Sequence, residues 1–482
     1  MNSSVHLKTN SHIHLMGICG TAMASLAGLL KERGFKVTGS DLNPYPPMST
    51  QLDSLGIPIM KGYKAENLHP NPDFVIVGNV ISANNEEAQE LLRLKLPHTS
   101  LPKAMGEFII ADKECINISG THGKTTTTSL MSWVAEICGE KPGFLIGGIP
   151  KNFAKSFRNP EKKFFVIEGD EYDTAFFDKV PKFIHYKPRH VILTSVEFDH
   201  ADIYKDLDAV KAAFRTLIKL VPEDGTLMAC ADDANVMELF KESKCKNSFT
   251  YGLKAGDFKT TILRETTDGI EFQVEFSSKP KFKSQSKNEV LGPFFVKMSG
   301  EYNILNATSV VAMSQVLGFS PEKVKEALRS FEGVKRRQEI LGEPKGILVI
   351  EDFAHHPTAV RETVKGIQNK YPGRKVFSVF EPRSATSRRK VFQQDYVKAF
   401  KGSHEVMLAE AFDQSKIDAE NRFSSMELIH DLKKSGVTAE VFSSTEAIVN
   451  ALKSKAQCGD IVLIMSNGGF DGIYTKLLSA LS

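Results

Sequence analysis

The sequence predicts an α/β protein of three domains: an N-terminal Rossmann-like domain, a central P-loop-type mononucleotide-binding α/β domain and a C-terminal Rossmann-like α/β domain. Three observations carry this expectation. The 482 residues are too many for one ordinary hydrophobic core. Short apolar runs alternate with amphipathic helical patterns near both ends and in the middle of the chain. A glycine-rich turn, SGTHGKTTTTS at 119–129, lies between an apolar strand and a helical pattern.

The first domain is expected over 1–112. A strand at 12–16 meets glycines at Gly17 and Gly20, a helical run reaches Arg33, and a strand from 35 closes on Asp41. A further apolar run at 73–78 continues the alternation. The central domain, 113–339, opens with a strand at 115–118 and a helix that places Leu130, Met131, Val134 and Ile137 on one face. Strands at 164–168 and 190–195 and a helix at 207–220 extend a mainly parallel sheet. Residues 226–298 read differently, as β-rich stretches around a Ser/Lys-rich segment at 277–289 that is expected to be a solvated hairpin loop. Helices at 304–317 and 321–331 lead to the basic run Lys335, Arg336 and Arg337. The third domain, 340–482, alternates strands at 347–351, 375–380, 405–408 and 461–465 with helices.

Composition excludes several classes of function. Sixty-one basic against 58 acidic residues leave a net charge of +3, so no overall field points to nucleic acid or a membrane, and any anion must be met locally. The hydrophobic fraction of 41% is that of a globular protein, and no run approaches the roughly 20 apolar residues of a membrane span. Six cysteines form no CxxC pair and read as free thiols in a reducing compartment. With a polar N-terminus, this gives a cytoplasmic expectation. Nothing in the sequence sets an oligomeric state.

The sharpest chemical signal is Gly120, Thr121, His122, Gly123, Lys124, Thr125 and Thr126. Closely spaced glycines free backbone N–H groups to surround phosphate, and the following helix N-terminus adds a favourable dipole. Lys124 is expected on the β/γ-phosphates and Thr125 on Mg²⁺. The Walker pattern is incomplete, because Ile118 stands where its first glycine belongs. Glu168, in VIEGDEYD, and His200, in VEFDHAD, follow apolar strands and could complete a Mg²⁺ or Mn²⁺ site with Thr125, since open α/β sheets gather ligands at the carboxyl ends of strands. The alternative for His200 is a hydrogen-bonded turn histidine. Gly17 and Gly20 make a GxxG turn with Asp41 at the spacing of a ribose-binding acid, or simply a tight strand-to-helix turn. Asp352, His355, His356, Arg383, Arg388 and Arg389 follow strands and could bind carboxylates, although the two histidines before Pro357 also fit a polar helix start.

Taken together, GTHGKTT (120–126), EGDEYD (168–173), EFDHAD (197–202), YNILN (302–306), KRRQE (335–339) and DFAHHPTAV (352–360) resemble the Mur ligases across all three domains. The resemblance implies an ATP-dependent ligase that phosphorylates the carboxylate of UDP-N-acetylmuramate, after which an amine attacks the acyl phosphate. It implies catalytic roles for Lys124, Glu168 and His200, metal ligation by Thr125, Glu168 and His200, and adenine contacts from Asn303 and Asn306. Arg337 and Asp352 would meet phosphate or ribose, and Gly17, Gly20, Thr21 and Asp41 the UDP-sugar. His356, Arg383 and Arg389 would meet the incoming peptide, with Ser466, Asn467 and Gly468 as further candidates.

Two members of that family act on UDP-N-acetylmuramate. One adds L-alanine, and the other reattaches the recycled tripeptide L-alanyl-γ-D-glutamyl-meso-diaminopimelate. The stretches NPYPPMST (43–50), GGIPKNF (147–153), FEPRSATS (380–387) and SNGGFDGI (466–473) resemble the tripeptide enzyme more, while the alanine enzyme is the alternative. The sequence departs from relatives at Tyr302, where histidine is common, and at Arg215, where several carry a carbamylated lysine; Lys211 and Lys219 lie nearby. More distant readings are a folylpolyglutamate-synthase-like ligase, which would not need the GxxG and Asp41 unit, and a nucleotide-controlled binding protein.

Overall fold

The structure, a computed structural model, describes residues 7–44, 48–277 and 288–482. The Ser/Lys-rich hairpin expectation therefore falls almost wholly outside the described residues. The chain forms two compact units: Met1–Val196 with Val210–Tyr251 and Ser309–Ala327, and Glu197–Ala209 with Gly252–Thr308 and Leu328–Ser482.

In the first unit, strands β1 (His12–Met16), β2 (Lys36–Asp41), β3 (Ile59–Lys61), β4 (Phe74–Val77) and β5 (His98–Ser100) pair in parallel in the order β3-β2-β1-β4-β5. The helix Thr21–Glu32 connects β1 to β2 and buries Met23, Leu26, Leu29 and Leu30. Strand order reverses beside β1, so the crevice at its carboxyl end, where Gly17 and Gly20 turn the chain, is a natural ligand position.

A second sheet of this unit holds β6 (Glu114–Ser119), β7 (Gly143–Leu145), β8 (Phe157–Arg158) and β9 (Phe164–Gly169). After a separate hairpin of β10 (Asp173–Ala175) and β11 (Asp178–Pro181), it adds β12 (His190–Leu193), β13 (Thr226–Cys230) and β14 (Ser248–Gly252). The order is β14-β13-β12-β6-β9-β7-β8, parallel except for β7 with β8. Strands covered on both faces read as near-continuous apolar runs, as FFVI in β9 and HVIL in β12 do. Of the buried polar groups in β6, the Ser119 hydroxyl is satisfied, lying 2.7 Å from Asn117 Oδ1 and 2.9 Å from the Gly169 carbonyl. The two sheets of this unit are tied by Ser25 Oγ and Ser156 Oγ at 2.9 Å and by Arg33 Nε donating to Asn159 at 2.7 Å.

The β-rich stretch from 226 is smaller than its composition implies. β13 and β14 continue the parallel sheet, and only β15 (Phe258–Thr266), β16 (Gly269–Ser277) and β17 (Asn288–Val296), in the second unit, form antiparallel pairs. Buried Ile270, Phe272, Val274 and Phe276 alternate along β16, the pattern of a sheet with one covered face.

The second unit also contains β18 (Glu339–Gly342), β19 (Leu348–Asp352), β20 (Val376–Phe380), β21 (Glu405–Ala409), β22 (Thr438–Phe442) and β23 (Ile461–Met465). Their order is β18-β19-β23-β20-β21-β22, with only β18 antiparallel. Because side chains alternate across a strand, Ile350 joins the core with Val360, Val364 and Phe380, while Val349 joins Phe377, Met407 and Leu477 on the other face. The loops after β19, β20 and β23 carry Asp352 to His356, Glu381 to Arg389 and Ser466 to Gly468.

Candidate active site

The glycine turn leaves β6 and opens the helix Lys124–Ile137. Gly120 has φ +134°, and a Cβ there would lie 2.1 Å from Thr194 Oγ1, so no other residue fits without rearrangement. Thr194 Oγ1 donates to the His122 carbonyl at 2.6 Å. The Thr121 and His122 N–H groups donate to the Ser195 carbonyl and hydroxyl at 2.9 and 3.0 Å. Thr194 and Ser195 thus pin the turn from the end of the neighbouring strand, a role that sequence reading missed. Beyond it, the first turn of the helix leaves N–H groups without intrahelical acceptors, as phosphate binding requires.

Lys124 and Thr125 open the helix that follows β6, and Glu168 lies near the end of the adjacent strand β9. Thr125 Oγ1 donates to Glu168 Oε2 at 3.0 Å, and the Gly147 N–H donates to Glu168 Oε1 at 2.6 Å. Burial and Asp170 push the Glu168 carboxyl above the usual carboxylate range, against the pull of Gly147, Lys124 and Thr125. Lys124 Nζ donates to the Gly120 carbonyl at 2.7 Å and lies 3.4 Å from Glu171 Oε2 and 3.9 Å from Asp170 Oδ1. Burial pulls its ammonium down, but Glu171, Asp170 and Glu168 outweigh that and leave it above its ordinary value. The lysine is therefore firmly charged and 11% exposed. EGDEYD consequently supplies Asp170 and Glu171 as the lysine's counter-charges as well as Glu168; the sequence reading had only the last. A hydroxyl beside a carboxylate, both hard oxygen donors, suits Mg²⁺ or Mn²⁺.

His200 belongs to the second unit, with φ +57° and Nε2 3.7 Å from Asp199 Oδ2. Burial pushes Asp199 up, but His200, His355, His356 and the Thr386 hydroxyl, 2.6 Å away, hold it well below the usual carboxylate range. His356 caps the helix Pro357–Lys370: the Thr358 N–H donates to Nδ1 at 3.2 Å, leaving Nε2 to donate to the Phe198 carbonyl at 3.2 Å. His356 thus forms a polar helix start, and it also lines a cavity of this unit.

The remaining expected residues of the second unit fall into two groups. Asp352 is buried, with its oxygens accepting from the Gln338 and Ala354 N–H groups at 2.8 and 2.7 Å, and burial raises its carboxyl despite Arg337. Arg337 lies over the Phe353 ring at 4.5 Å. Asn303 and Asn306, both buried, sit in the first turns of the helix Glu301–Val316, where Asn303 Nδ2 donates to the Ser299 carbonyl at 2.8 Å. Tyr302 accepts from Gln338 Nε2 at 2.8 Å.

The other group surrounds Glu381, which sequence reading did not single out. Ser466 Oγ donates to Glu381 Oε2 at 2.6 Å, Arg383 lies 3.3 Å from Oε1, and the Gly468 N–H donates to Ser466 Oγ at 2.9 Å. Arg383 also covers the Phe412 ring at 3.8 Å. Arg388 donates to the Ser384 and Asp413 carbonyls, whereas Arg389 Nε and Asn467 Oδ1 are buried without a hydrogen-bond partner among the described residues. Arg336 anchors this group from outside, reaching Glu351 Oε1 at 2.5 Å and the Ser466 carbonyl at 3.1 Å.

In the first unit, the Asp41 carboxylate accepts from the Cys19 N–H at 2.9 Å and the Asn43 N–H at 3.2 Å, so the acid shapes the Gly17 to Gly20 turn itself. Thr21 begins the helix that follows. Arg215 and Lys211 pair with Glu242 and Glu238 at 2.8 and 2.7 Å. All six cysteines are free. Among the described residues no helix is long and apolar enough to cross a membrane.

Three family models match in succession: the Mur ligase family catalytic domain at 12–113, the Mur ligase middle domain at 118–314 and the Mur ligase glutamate ligase domain at 336–468. The chain belongs to the Mur ligase family. It is accordingly an ATP-dependent ligase with the three-domain fold of that family. This Mur ligase is 38% identical over 471 residues, 98% of each chain, to the UDP-N-acetylmuramate–L-alanyl-γ-D-glutamyl-meso-2,6-diaminoheptandioate ligase of Escherichia coli. A UDP-N-acetylmuramate–L-alanine ligase of Clostridium kluyveri is 32% identical, over 95% of this chain and 96% of that one. Among solved structures, a murein peptide ligase from Psychrobacter arcticus superposes with a TM-score of 0.72 at 33% identity, covering 98% of both chains.

Proposed function

We propose that this Mur ligase joins UDP-N-acetylmuramate to the tripeptide L-alanyl-γ-D-glutamyl-meso-diaminopimelate, with ATP consumed through an acyl-phosphate intermediate in peptidoglycan recycling. The observation that carries the reading is full-length similarity to an enzyme of that name, at 38% identity against 32% for the alanine ligase. In this reading residues 1–112 hold the UDP-sugar, 113–339 hold ATP and 340–482 hold the peptide, in the cytoplasm.

The residues support the chemistry. A carboxylate is a poor electrophile until one oxygen becomes a good leaving group, and phosphorylation achieves that. Lys124, kept charged by Glu171 and Asp170, meets the negative charge on the transferring phosphoryl group. Thr125 and Glu168, with His200, are the residues that would hold Mg²⁺ or Mn²⁺, which supplies charge neutralisation on the phosphate oxygens. Gly120 to Thr126 cradle the phosphates and Asn303, Asn306, Arg337 and Asp352 line the nucleoside side. Gly17, Gly20, Thr21 and Asp41 receive the UDP-sugar. Arg383 and Arg389 receive carboxylates of the peptide, whose amine then attacks the acyl phosphate and displaces phosphate.

Phosphate release from ATP with UDP-N-acetylmuramate and Mg²⁺ tests this, with L-alanine or the tripeptide added in parallel and Lys124→Ala as control. Release with the tripeptide only, lost in the variant, is the expected result. Release with L-alanine only moves the assignment to the alanine ligase.

A further inference from the structure

The second unit contains a cavity of about 180 Å³ to which the reaction described so far assigns no part of a substrate, although His356, expected to meet the peptide, is among its lining residues. That is room for several waters, or for a small charged head group with part of its stem. Its walls come from two helix starts and one loop. The helix Pro357–Lys370 contributes Arg361, and the helix Gln393–Ala399 contributes Asp395 and Lys398, three residues apart and so on one face. Phe392 and Phe198 form an aromatic wall with ring centroids 6.1 Å apart, and Glu197 lies at the edge. Phe392 is further fixed by an edge contact to His356 at 4.7 Å.

Three of the charges facing this cavity are little engaged within the protein, whereas the fourth, Glu197, lies 3.5 Å from His356 Nδ1. Arg361 Nε is paired with the adjacent Glu362 at 3.0 Å, which leaves its two terminal nitrogens. Among the described residues, Asp395 and Lys398 make no side-chain hydrogen bond or ion pair, although they sit on one helical face. A concave site with an apolar wall, two cations and two carboxylates is complementary to a ligand that bears both signs at close quarters. An amino-carboxylate is such a ligand: its carboxylate matches Arg361 and Lys398, and its ammonium matches Asp395, with the His356-paired Glu197 adding negative potential at the edge.

We propose that this cavity is the subsite for the free amino-carboxylate at the far end of the tripeptide's third residue. The inference rests on the tripeptide reading above and names where that substrate's distal end lies. An acceptor that is alanine alone has no second amino-carboxylate and leaves such a cavity unused. A tripeptide whose third residue is L-lysine presents an ammonium without the carboxylate, and so makes half of the interaction.

The test measures KM and kcat on the full chain for three acceptors: the meso-diaminopimelate tripeptide, its L-lysine analogue and the dipeptide L-alanyl-γ-D-glutamate. The wild type is compared with Arg361→Met, Lys398→Met and Asp395→Asn. Each group is on the surface of its helix, with Arg361 50% exposed, so the variants are expected to fold, and thermal melting checks it. The expected result is a KM about tenfold higher for the diaminopimelate tripeptide in each variant, the loss of one charge-assisted contact. The kcat stays within about twofold, the dipeptide KM does not change, and Arg361→Met and Lys398→Met have little effect on the lysine analogue. An unchanged KM for the diaminopimelate tripeptide, or an equal rise for the dipeptide, overturns the subsite. A wild type that accepts L-alanine but none of the peptides overturns the tripeptide reading itself, which is a separate and visible outcome.

Discussion

Three carboxylates keep Lys124 charged at the mouth of the glycine turn, which makes it the residue on which the proposed chemistry converges. Lys124→Ala is expected to lower kcat for phosphate release by about 10²- to 10³-fold, the cost of one preorganised electrostatic partner of the transition state. It is also expected to lower the melting temperature, since Glu171, 2% exposed, loses its cation. Gly468 acts by what it lacks. A Cβ there would lie 2.2 Å from Arg383 Cδ and Nε, and its backbone is outside the left-handed region, so alanine fits the chain but not the neighbour. Gly468→Ala is expected to leave melting nearly unchanged, because an arginine can swing away, and to raise the peptide KM about tenfold as Arg383 leaves Glu381. A lower kcat with an unchanged peptide KM would place Arg383 elsewhere in the cycle. The sequence pointed to Lys124, Thr125, Glu168, Arg383 and Gly468 through motif and resemblance. Glu381, Thr194 and Ser195 were illegible because their roles exist only once strands distant in sequence lie side by side.

At the scale of elements, the first strand–turn–helix unit is proposed to bind the UDP-sugar through its backbone, and Asp41 gives that backbone its shape. Asp41→Ala removes the acceptor of the Cys19 and Asn43 N–H groups. Titration calorimetry is expected to show UDP-N-acetylmuramate binding weakened about tenfold, with the KM for ATP unchanged because the nucleotide turn hangs on a different sheet. Equal losses for both ligands would mean that the variant has damaged the fold. This unit was readable because strand, glycines, helix and acid follow in one local pattern. The strands Ile59–Lys61, His98–Ser100 and Phe157–Arg158 were not, since two or three residues carry no periodicity. The strand Ser248–Gly252 fell inside the β-rich stretch read over 226–298, because sequence shows a strand's composition and not its partner, here the parallel neighbour Thr226–Cys230.

For the whole molecule, the proposed function gives the three successive Mur ligase segments separate tasks that a single turnover must join. The hard oxygen donors Thr125, in the first turn of the helix after β6, and Glu168, near the end of β9, belong to one sheet, while the Gly17 to Gly20 turn and Asp41 stand at the ends of β1 and β2 in another. A divalent cation is needed where phosphate charge is densest and has no donor set of that kind at the GxxG turn, where the described contacts are backbone N–H groups on one carboxylate. Chelation of Mg²⁺ is therefore expected to abolish phosphate release, with Mg²⁺ or Mn²⁺ restoring it, while the Kd for UDP-N-acetylmuramate measured in chelator stays within about twofold of its value in metal. Glu168→Gln should mimic chelation in the first assay and be silent in the second. If chelation weakened UDP-sugar binding as much as it slowed phosphate release, the cation would have to reach both ligands, and the assignment of sugar and metal to separate sheets would fail.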